Sequence, residues 1–480
     1  MIKRSSGVLM PISCLEGEYS CGSFGEGAKY FVDFLSDCGF SYWQVLPFCM
    51  VDECNSPYKS YSAFGGNPYF VDLGVLHEKG LITDFELELY RQQTPYSCEY
   101  TRLYHTRLPL LARASERVDP KEREKIEKFI SADKYLLQFC EFMAYKAANN
   151  QKEWTEWDKN KKYDESVLFT WKFIQYEFFT QWEKIKAYAN EKGIKIVGDI
   201  PIYVAYDSSD VWANREMFLL DEDNVPKCVA GVPPDYFSED GQLWGNPLYD
   251  WEKMEKDGYS WWCDRMAHTF RLFDCVRIDH FRGLESFWSI PYTAKSAKEG
   301  KWVKGPGKKF IDVIKNVADG KMIIAEDLGD ITPEVQALVD YSGFPGMRVL
   351  QFAFLSDEDN PHLPHNYINN SIAYTGTHDN NTLLGYVWEL DDETRKTLLE
   401  YCNYDDPYWD RCYDSVIRTM YASNAGLVIM PIQDLLGYGS DTRMNIPGKA
   451  DGNWRYRVTR EQLDSIDREK YKRLNFLYKR

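Results

Sequence analysis

The 480-residue chain lacks the sequence features of several protein classes. Its twelve cysteines include no C-x-x-C pair and its seven histidines are scattered, so neither a zinc site nor a redox dithiol is indicated. No apolar run approaches the roughly 18 residues of a membrane span. The net charge of -17 argues against nucleic acids and anionic membranes as partners, because both attract basic surfaces. The sequence therefore predicts no metal, no cofactor, no nucleic-acid partner and no membrane partner.

The first residues, MIKRSSGVLMPISCLEG, also lack the pattern of a secretory signal. Pro11 interrupts the short apolar stretch and no small-residue cleavage site follows, which favours a first β-strand instead. Free thiols in this number are typical of a reducing compartment. We therefore expect a cytoplasmic protein.

Aromatic residues, in contrast, are abundant, at 16% of the chain with 34 Tyr and 15 Trp. Many of them stand beside Gly, Pro and Asn in loop-like sequence. Such rings can stack on sugars while neighbouring polar groups bond the sugar hydroxyls. Those in WKFIQYEFFTQW (171–182) follow a helical period, which favours a packing role for them. Only the loop aromatics therefore indicate a carbohydrate site.

Eight apolar runs separated by helical patterns predict an α/β protein with a parallel sheet. Buried parallel strands are continuous apolar runs, and eight of them close a (β/α)8 TIM barrel. The predicted strands are Val8–Ile12, Tyr42–Leu46, Ile194–Ile200, Cys275–Asp279, Met322–Glu326, Arg348–Phe354, Ile372–Thr377 and Leu427–Ile432.

Two long segments interrupt this alternation. Residues 81–190 are charged and helical, and we expect a helical insertion between strands 2 and 3. Residues 204–250 are dense in Gly, Pro and aromatics, and we expect an active-site loop between strands 3 and 4. Both are predicted to lie at the C-terminal face of one catalytic barrel that spans residues 1–480.

Three acids follow predicted strands, in DCVRIDHFRG, MIIAEDLGD and SIAYTGTHDNN. They are Asp279, Glu326 and Asp379. Residues at the C-terminal ends of barrel strands carry the chemistry of this fold, so the three carboxylates should meet at one mouth. Any one of them alone could instead form a turn or cap a helix. Their joint placement indicates catalysis.

Seven motifs, in order along the chain, resemble 4-α-glucanotransferases of the amylomaltase or disproportionating-enzyme type, glycoside hydrolase family 77. The motifs are NSPYKSYSAFGGNPYFVDL, GDIPIYVAYDSSDVW, GVPPDYFSEDGQLWGNPLYDW, VRIDHFRG, IIAEDLG, YTGTHDNNT and NIPGKADGNWRYR. The resemblance implies a retaining barrel enzyme that cuts an α-1,4-glucan and transfers the cut segment to the 4-OH of an acceptor. The implied partners are maltooligosaccharides, starch-derived or glycogen-derived α-1,4-glucans, and glucose as acceptor.

The resemblance also implies a role for each site residue. Asp279 would be the nucleophile, Glu326 the acid and base, and Asp379 a sugar-binding group that favours the distorted transition state. Asp327 could raise the pKa of Glu326, although neighbouring residues on a strand face opposite sides. The predicted substrate-binding residues are Ser56, Tyr61, Asp199, Asp235, Trp244, Arg277, His280, His378 and Asn453.

Two other functions stay open at this point. An α-1,4-glucan hydrolase would use the same three acids with water as the acceptor. A non-catalytic starch-binding protein would keep the aromatics but is expected to have lost at least one carboxylate, and all three are present. Individual residues do not separate transfer from hydrolysis, because that choice depends on how well the site excludes water.

Overall fold

The computed structural model describes residues 2–51, 54–234, 239–449 and 451–480. These residues form twelve strands: β1 (Ser5–Leu9), β2 (Tyr42–Gln44), β3 (Lys195–Ile200), β4 (Cys228–Val232), β5 (Gln242–Pro247), β6 (Cys275–Ile278), β7 (Ser286–Pro291), β8 (Lys301–Lys304), β9 (Met322–Ala325), β10 (Gly346–Val349), β11 (Ser371–Tyr374) and β12 (Leu427–Pro431).

Eight of the strands close a parallel barrel in the order β1, β12, β11, β10, β9, β6, β3 and β2. Side chains on both faces of these strands are buried, since the barrel interior and the surrounding helices each cover one face. The predicted (β/α)8 TIM barrel is confirmed. All eight predicted runs overlap a barrel strand, and in seven of them the predicted and observed ranges differ by at most three residues at either end.

The sixth strand is predicted too late in the chain. β10 ends at Val349, and Leu350–Phe352 form a 3-10 turn rather than more strand. Leu350 and Phe352 of this turn are apolar like the strand residues before them, so apolar residues do not mark where the strand ends. β10 begins at Gly346, where a Cβ atom would lie 2.2 Å from the Asp327 carboxylate. Glycine is therefore needed at this strand start.

Helices surround the barrel and fill the long connection between β2 and β3. In chain order they are α1 (Glu26–Cys38), α2 (Leu73–Glu78), α3 (Asp84–Leu89), α4 (Tyr100–Glu116), α5 (Pro120–Ser131), α6 (Lys134–Ala148), α7 (Glu165–Glu191), α8 (Ser209–Ala213), α9 (Trp251–Lys256), α10 (Ser260–Leu272), α11 (Gly307–Ala318), α12 (Pro333–Ser342), α13 (Leu383–Glu389), α14 (Asp392–Tyr401), α15 (Tyr413–Ala422), α16 (Ile432–Leu436), α17 (Arg460–Asp464) and α18 (Arg468–Tyr478). Within the described residues, no helix has the length and apolarity that a bilayer span requires.

Helix α7 joins the helices between β2 and β3 to the barrel. It packs against α4, α5 and α6 on one side and against α1 and β3 on the other. Its Trp182 is buried, lies 4.6 Å from Phe48 between ring centroids, and donates its indole N–H to the Leu272 carbonyl at 3.0 Å. The aromatics of this helix therefore serve packing, as their helical period predicts.

The second interrupting segment, residues 204–250, contains two strands where the sequence predicts a structureless loop. β4 and β5 join β7 and β8 in a separate antiparallel sheet, in the order β5, β4, β7, β8. The partner strand β7 lies about forty residues beyond β5 in sequence, so the segment alone does not reveal the pairing. This sheet places β5 over the mouth of the barrel, where Trp244 contacts His280.

Candidate active site

The active-site cleft is a cavity of about 350 Å³ at the C-terminal mouth of the barrel. Its size falls at the lower end of the range for small-molecule sites, which is about 300–1,000 Å³. The residues that line it are Ser56, Tyr58, Lys59, Pro201, Ile202, Tyr203, Gln242, Trp244, Asn246, Asp279, His280, Asp379, Asn445, Pro447, Gly448 and Trp454. Two of the three predicted acids thus line the cleft directly.

Asp279 and Glu326 follow neighbouring strands. The register pairs Ile278 of β6 with Ala325 of β9, and each acid is the residue that directly follows one of these two. The backbone N–H of Glu326 donates to the Ile278 carbonyl at 3.1 Å, and the backbone N–H of His280 donates to Glu326 Oε2 at 2.8 Å. Adjacent strands lie about 4.7–4.9 Å apart. The register therefore places the two acids side by side at the same end of neighbouring strands, and a retaining glycosidase needs such a close pair of carboxyl groups.

The Glu326 carboxyl holds its proton far more strongly than an exposed glutamate does. Burial and the nearby negative charge of Asp279 raise its pKa to about 7, although Arg277 opposes the shift. The predicted contribution of Asp327 is absent, because that carboxylate faces β10 and accepts hydrogen bonds from Met347 N at 2.6 Å and from Arg348 at 3.1 Å. A carboxyl with a pKa near neutrality can act as both acid and base.

Arg277 holds two carboxylates at once. One guanidinium nitrogen donates to Asp279 Oδ1 and another donates to Asp199 Oδ2, both at 2.6 Å. Arg277 lies in β6 two residues before Asp279, so the two side chains share a face. The guanidinium therefore fixes the position of the Asp279 carboxylate.

Asp199 does not reach the cleft, in contrast to its predicted substrate-binding role. Its side chain has 0% exposure, and its Oδ2 accepts hydrogen bonds from Arg277 and from the Tyr58 hydroxyl, each at 2.6 Å. The register places Asp199 beside Arg277, one layer below the strand ends that carry the acids. Burial raises the pKa of Asp199, and Arg277 counteracts that effect. Asp199 supports Arg277 and Tyr58 rather than a sugar.

Of the two tyrosines in the segment SPYKSYSAF, Tyr58 lines the cleft, whereas the sequence predicts Tyr61. The Tyr58 ring stacks on His378 with centroids 5.1 Å apart. Tyr61 instead packs against α6, where the Lys146 ammonium lies 4.9 Å from its ring centroid. Both residues belong to SPYKSYSAF, an irregular segment without a strand or helix period, so the sequence does not show which one faces the cleft.

Asp379 lies at the far side of the cleft, five residues after β11. Its Oδ1 accepts a hydrogen bond from Asn445 at 2.6 Å, and its Oδ2 lies 3.3 Å from His378 Nε2. Burial alone would raise the pKa of Asp379, but His378 and the Asn445 hydrogen bond hold it well below the usual range. Asp379 is therefore an anionic acceptor of hydrogen bonds, and its partner Asn445 is a site residue that the sequence reasoning missed.

Asn453 is a predicted sugar contact, but its side chain forms hydrogen bonds within the loop that carries Asn445. It accepts from the Ile446 N–H at 2.9 Å and donates to the Lys449 carbonyl at 2.8 Å. These bonds close the loop and leave the amide directed at backbone groups. Asn453 therefore shapes the loop, and Asn445 makes the contact with Asp379.

His280 and Trp244 form one wall of the cleft, and Ser56 lines it as well. The ring centroids of His280 and Trp244 are 4.9 Å apart at 83°, in an edge-to-face arrangement. Burial lowers the pKa of His280 to about 4, so the ring is neutral near pH 7. A neutral imidazole can both donate to and accept from sugar hydroxyls. The remaining predicted contact, Asp235, lies outside the described residues.

No group of three histidine, cysteine or acidic side chains in the described part of the chain is arranged as a metal site. The polar groups that line the cleft are neutral or anionic except for Lys59. This charge balance fits a neutral polyhydroxyl ligand better than a phosphorylated one.

Comparisons with known proteins agree over the full chain. A model of the family described as 4-alpha-glucanotransferase matches residues 10–463. A 4-alpha-glucanotransferase from Streptococcus pneumoniae is 44% identical, with 100% of this chain and 98% of the relative covered. One from Clostridium butyricum is 42% identical, with 98% of this chain and 100% of the relative covered.

Solved structures give the same result. An amylomaltase from Streptococcus agalactiae in complex with acarbose superposes with a TM-score of 0.96 at 36% identity and 100% coverage of both chains. An amylomaltase from Corynebacterium glutamicum has a TM-score of 0.80 at 18% identity, covering 99% of this chain and 74% of the other, which shows a shared fold.

Proposed function

The chain belongs to the 4-alpha-glucanotransferase family, glycoside hydrolase family 77, and we propose that Asp279, Glu326 and Asp379 carry out its chemistry. The enzyme is a 4-α-glucanotransferase that moves a segment of an α-1,4-glucan to an acceptor with retention. The observation that supports these assignments best is the Asp279 and Glu326 pair on adjacent strands, with the Glu326 pKa raised to about 7.

In the first step, Asp279 attacks the anomeric carbon while Glu326 gives its proton to the leaving glycosidic oxygen. The C–O bond of the donor breaks, a glucosyl ester forms on Asp279, and the reducing-end piece departs with the proton. Arg277 orients Asp279 for this attack through the 2.6 Å ion pair. Asp379, held by Asn445, accepts hydrogen bonds from the ring hydroxyls of the distorted glucose.

In the second step, the Glu326 carboxylate removes the proton from the 4-OH of an acceptor. That oxygen attacks the anomeric carbon, the ester bond to Asp279 breaks, and the starting protonation states return. The donors are maltooligosaccharides and α-1,4-glucans derived from starch or glycogen, and glucose is the smallest acceptor. The twelve cysteines favour a reducing compartment, so we place this reaction in the cytoplasm.

Incubation of the enzyme with maltotriose tests the proposed function. Transfer should give glucose together with a ladder of longer maltooligosaccharides, because each covalent intermediate is passed to another sugar. Chromatographic separation of the products over time checks this result. If only glucose and maltose appear and no product exceeds the substrate in length, water is the acceptor and the enzyme is a hydrolase.

Trp244→Ala should weaken donor use and raise hydrolysis relative to transfer. Trp244 lines the cleft beside His280, and its indole N–H donates to Gln242 Oε1 at 3.0 Å, which fixes the ring over the barrel mouth. Removing the ring opens the cleft to water while the covalent intermediate waits for an acceptor. The measurement is the ratio of reducing-end release to disproportionation with maltotriose.

Leu243→Ala is the matched control for this variant. Leu243 is the neighbouring residue on β5, is 45% exposed, and is not among the residues that line the cleft. Its substitution should leave the ratio unchanged. If Trp244→Ala lowers activity while its ratio equals that of Leu243→Ala, Trp244 binds substrate without controlling water.

A further inference from the structure

A second cleft lies next to the active-site cleft, between the α6–α7 connection and the segment that follows β3. It has a volume of about 430 Å³, similar to the 350 Å³ of the active-site cleft. Its walls carry the rings of Tyr145, Trp157 and Trp212, and its rim carries charged side chains. None of the catalytic steps above uses this cleft.

The three rings form a fixed aromatic platform. Trp157 and Trp212 have centroids 5.9 Å apart at 56°, and Tyr145 stacks on Trp157 at 5.8 Å and 27°. The Trp157 indole N–H donates to the Lys152 carbonyl at 3.0 Å, which anchors the ring by its polar edge. All three rings are partly exposed. Partly exposed, rigid rings in a concave site are suited to stacking on the apolar faces of sugars.

The rim of the second cleft combines charges of both signs. Its exposed cations are Lys159 and Arg215, and its exposed carboxylates are Asp158, Glu222 and Asp223. A ligand with many hydroxyl groups can bond both kinds of side chain. A phosphorylated ligand or a nucleic acid would instead meet more carboxylates than cations. The surroundings of the rings therefore favour a neutral carbohydrate.

The two clefts are separated by a very short piece of chain. Tyr203 lines the active-site cleft. Tyr206, three residues later, packs against Trp154 of the second cleft with centroids 5.6 Å apart, and its hydroxyl donates to the Asn224 carbonyl at 2.7 Å. Three residues span about 10 Å at most. One glucan chain is long enough to occupy both clefts.

We propose that the second cleft binds a segment of the α-1,4-glucan substrate away from the reacting bond. This inference rests on the proposed function, because it assumes that the ligand of the second cleft is the α-1,4-glucan on which the active site acts. A long glucan held at both clefts gains affinity through the high effective concentration of its second segment. Maltotriose has only three glucose units, which the active-site cleft holds on either side of the reacting bond, so its use should depend on that cleft alone.

Trp157→Ala tests the proposal. The dissociation constant for soluble amylose, measured by affinity electrophoresis, should rise about 3- to 10-fold, in line with the loss of one aromatic stacking contact. The KM for long amylose should rise by a similar factor, while kcat and KM for maltotriose stay within about twofold of the wild type. Trp388→Ala is the matched control, since Trp388 is 50% exposed and lines neither cleft.

A second variant guards against a folding defect in Trp157→Ala. The double substitution Lys159→Ala/Asp223→Ala removes two exposed rim groups without touching the rings, and it should raise the amylose dissociation constant at least about twofold. Unchanged amylose affinity in this variant, or an equal change for amylose and maltotriose in Trp157→Ala, overturns the proposal. If the wild type forms no transfer products from maltotriose, the proposed function fails instead, and the electrophoresis still decides whether the second cleft binds glucan.

Discussion

Asp279→Asn should bind maltooligosaccharides and yet lose at least about 10³-fold in kcat, because an amide cannot form the glucosyl ester. Asparagine keeps the size of aspartate, and its carbonyl oxygen can still accept a hydrogen bond from Arg277, which now donates to Asp279 Oδ1 at 2.6 Å. Substrate affinity should therefore change far less than turnover. Isothermal titration with maltotriose and steady-state kinetics on the same preparation measure the two quantities separately.

Asp330→Asn is the matched control for the nucleophile. Asp330 follows β9 at the same end of the barrel, but its side chain is 76% exposed and lies 3.4 Å from Arg282 rather than in the cleft. The control should retain nearly full activity. Retention of a tenth of wild-type activity by Asp279→Asn, in a preparation free of wild-type enzyme, would contradict the assignment of Asp279.

The barrel could be predicted from the sequence because its strands are buried on both faces. A continuous apolar run is sufficient evidence for such a strand, whatever its neighbours are. The four strands outside the barrel give no such signal. β4 pairs with β7 and β5 pairs with β4, so their pairing depends on segments that lie on either side of β6. Local sequence does not contain that information.

The placement of the three acids at one end of the barrel could be predicted, because the ends of barrel strands share one mouth. How deep a residue lies in that mouth could not be predicted. Asp199 precedes the end of β3 by one residue and pairs in register with Arg277. That register puts it beneath the cleft, in contact with the groups that support Asp279. The sequence alone does not show whether a polar residue near a strand end lines the cleft or lies in the layer beneath it.

The loop residues show where prediction from sequence ends. Tyr58 and Asn445 line the cleft, yet the motifs that contain them also hold Tyr61 and Asn453, which pack inside the protein. Irregular segments have no period of 2 or 3.6 to assign faces. Their side chains are oriented by contacts with distant parts of the chain, such as the bond between Asn445 and Asp379.

Glu326→Ala should lower kcat on natural glucans by about 10²–10⁴-fold, the usual range for loss of a general acid. The same variant should still attack a donor with a good leaving group, such as α-maltosyl fluoride, because fluoride departs without protonation. The maltosyl ester should then accumulate, since no base remains to activate the acceptor. Mass spectrometry of the digested variant should locate the adduct on Asp279, and an adduct on any other residue would contradict both roles.

Asp327→Asn separates the acid role from a general defect at the end of β9. Asp327 is the next residue, but its carboxylate accepts hydrogen bonds from Met347 and Arg348 of β10, so its loss should affect both donors equally.

The pH profile adds an independent test, because Glu326 must be protonated in the first step and its pKa is raised to about 7. The wild-type kcat/KM for maltotriose should fall as pH rises through about 7, and this fall should be absent for α-maltosyl fluoride. If both donors give the same alkaline decline, a group other than the proton donor titrates there, and Glu326 is not the acid.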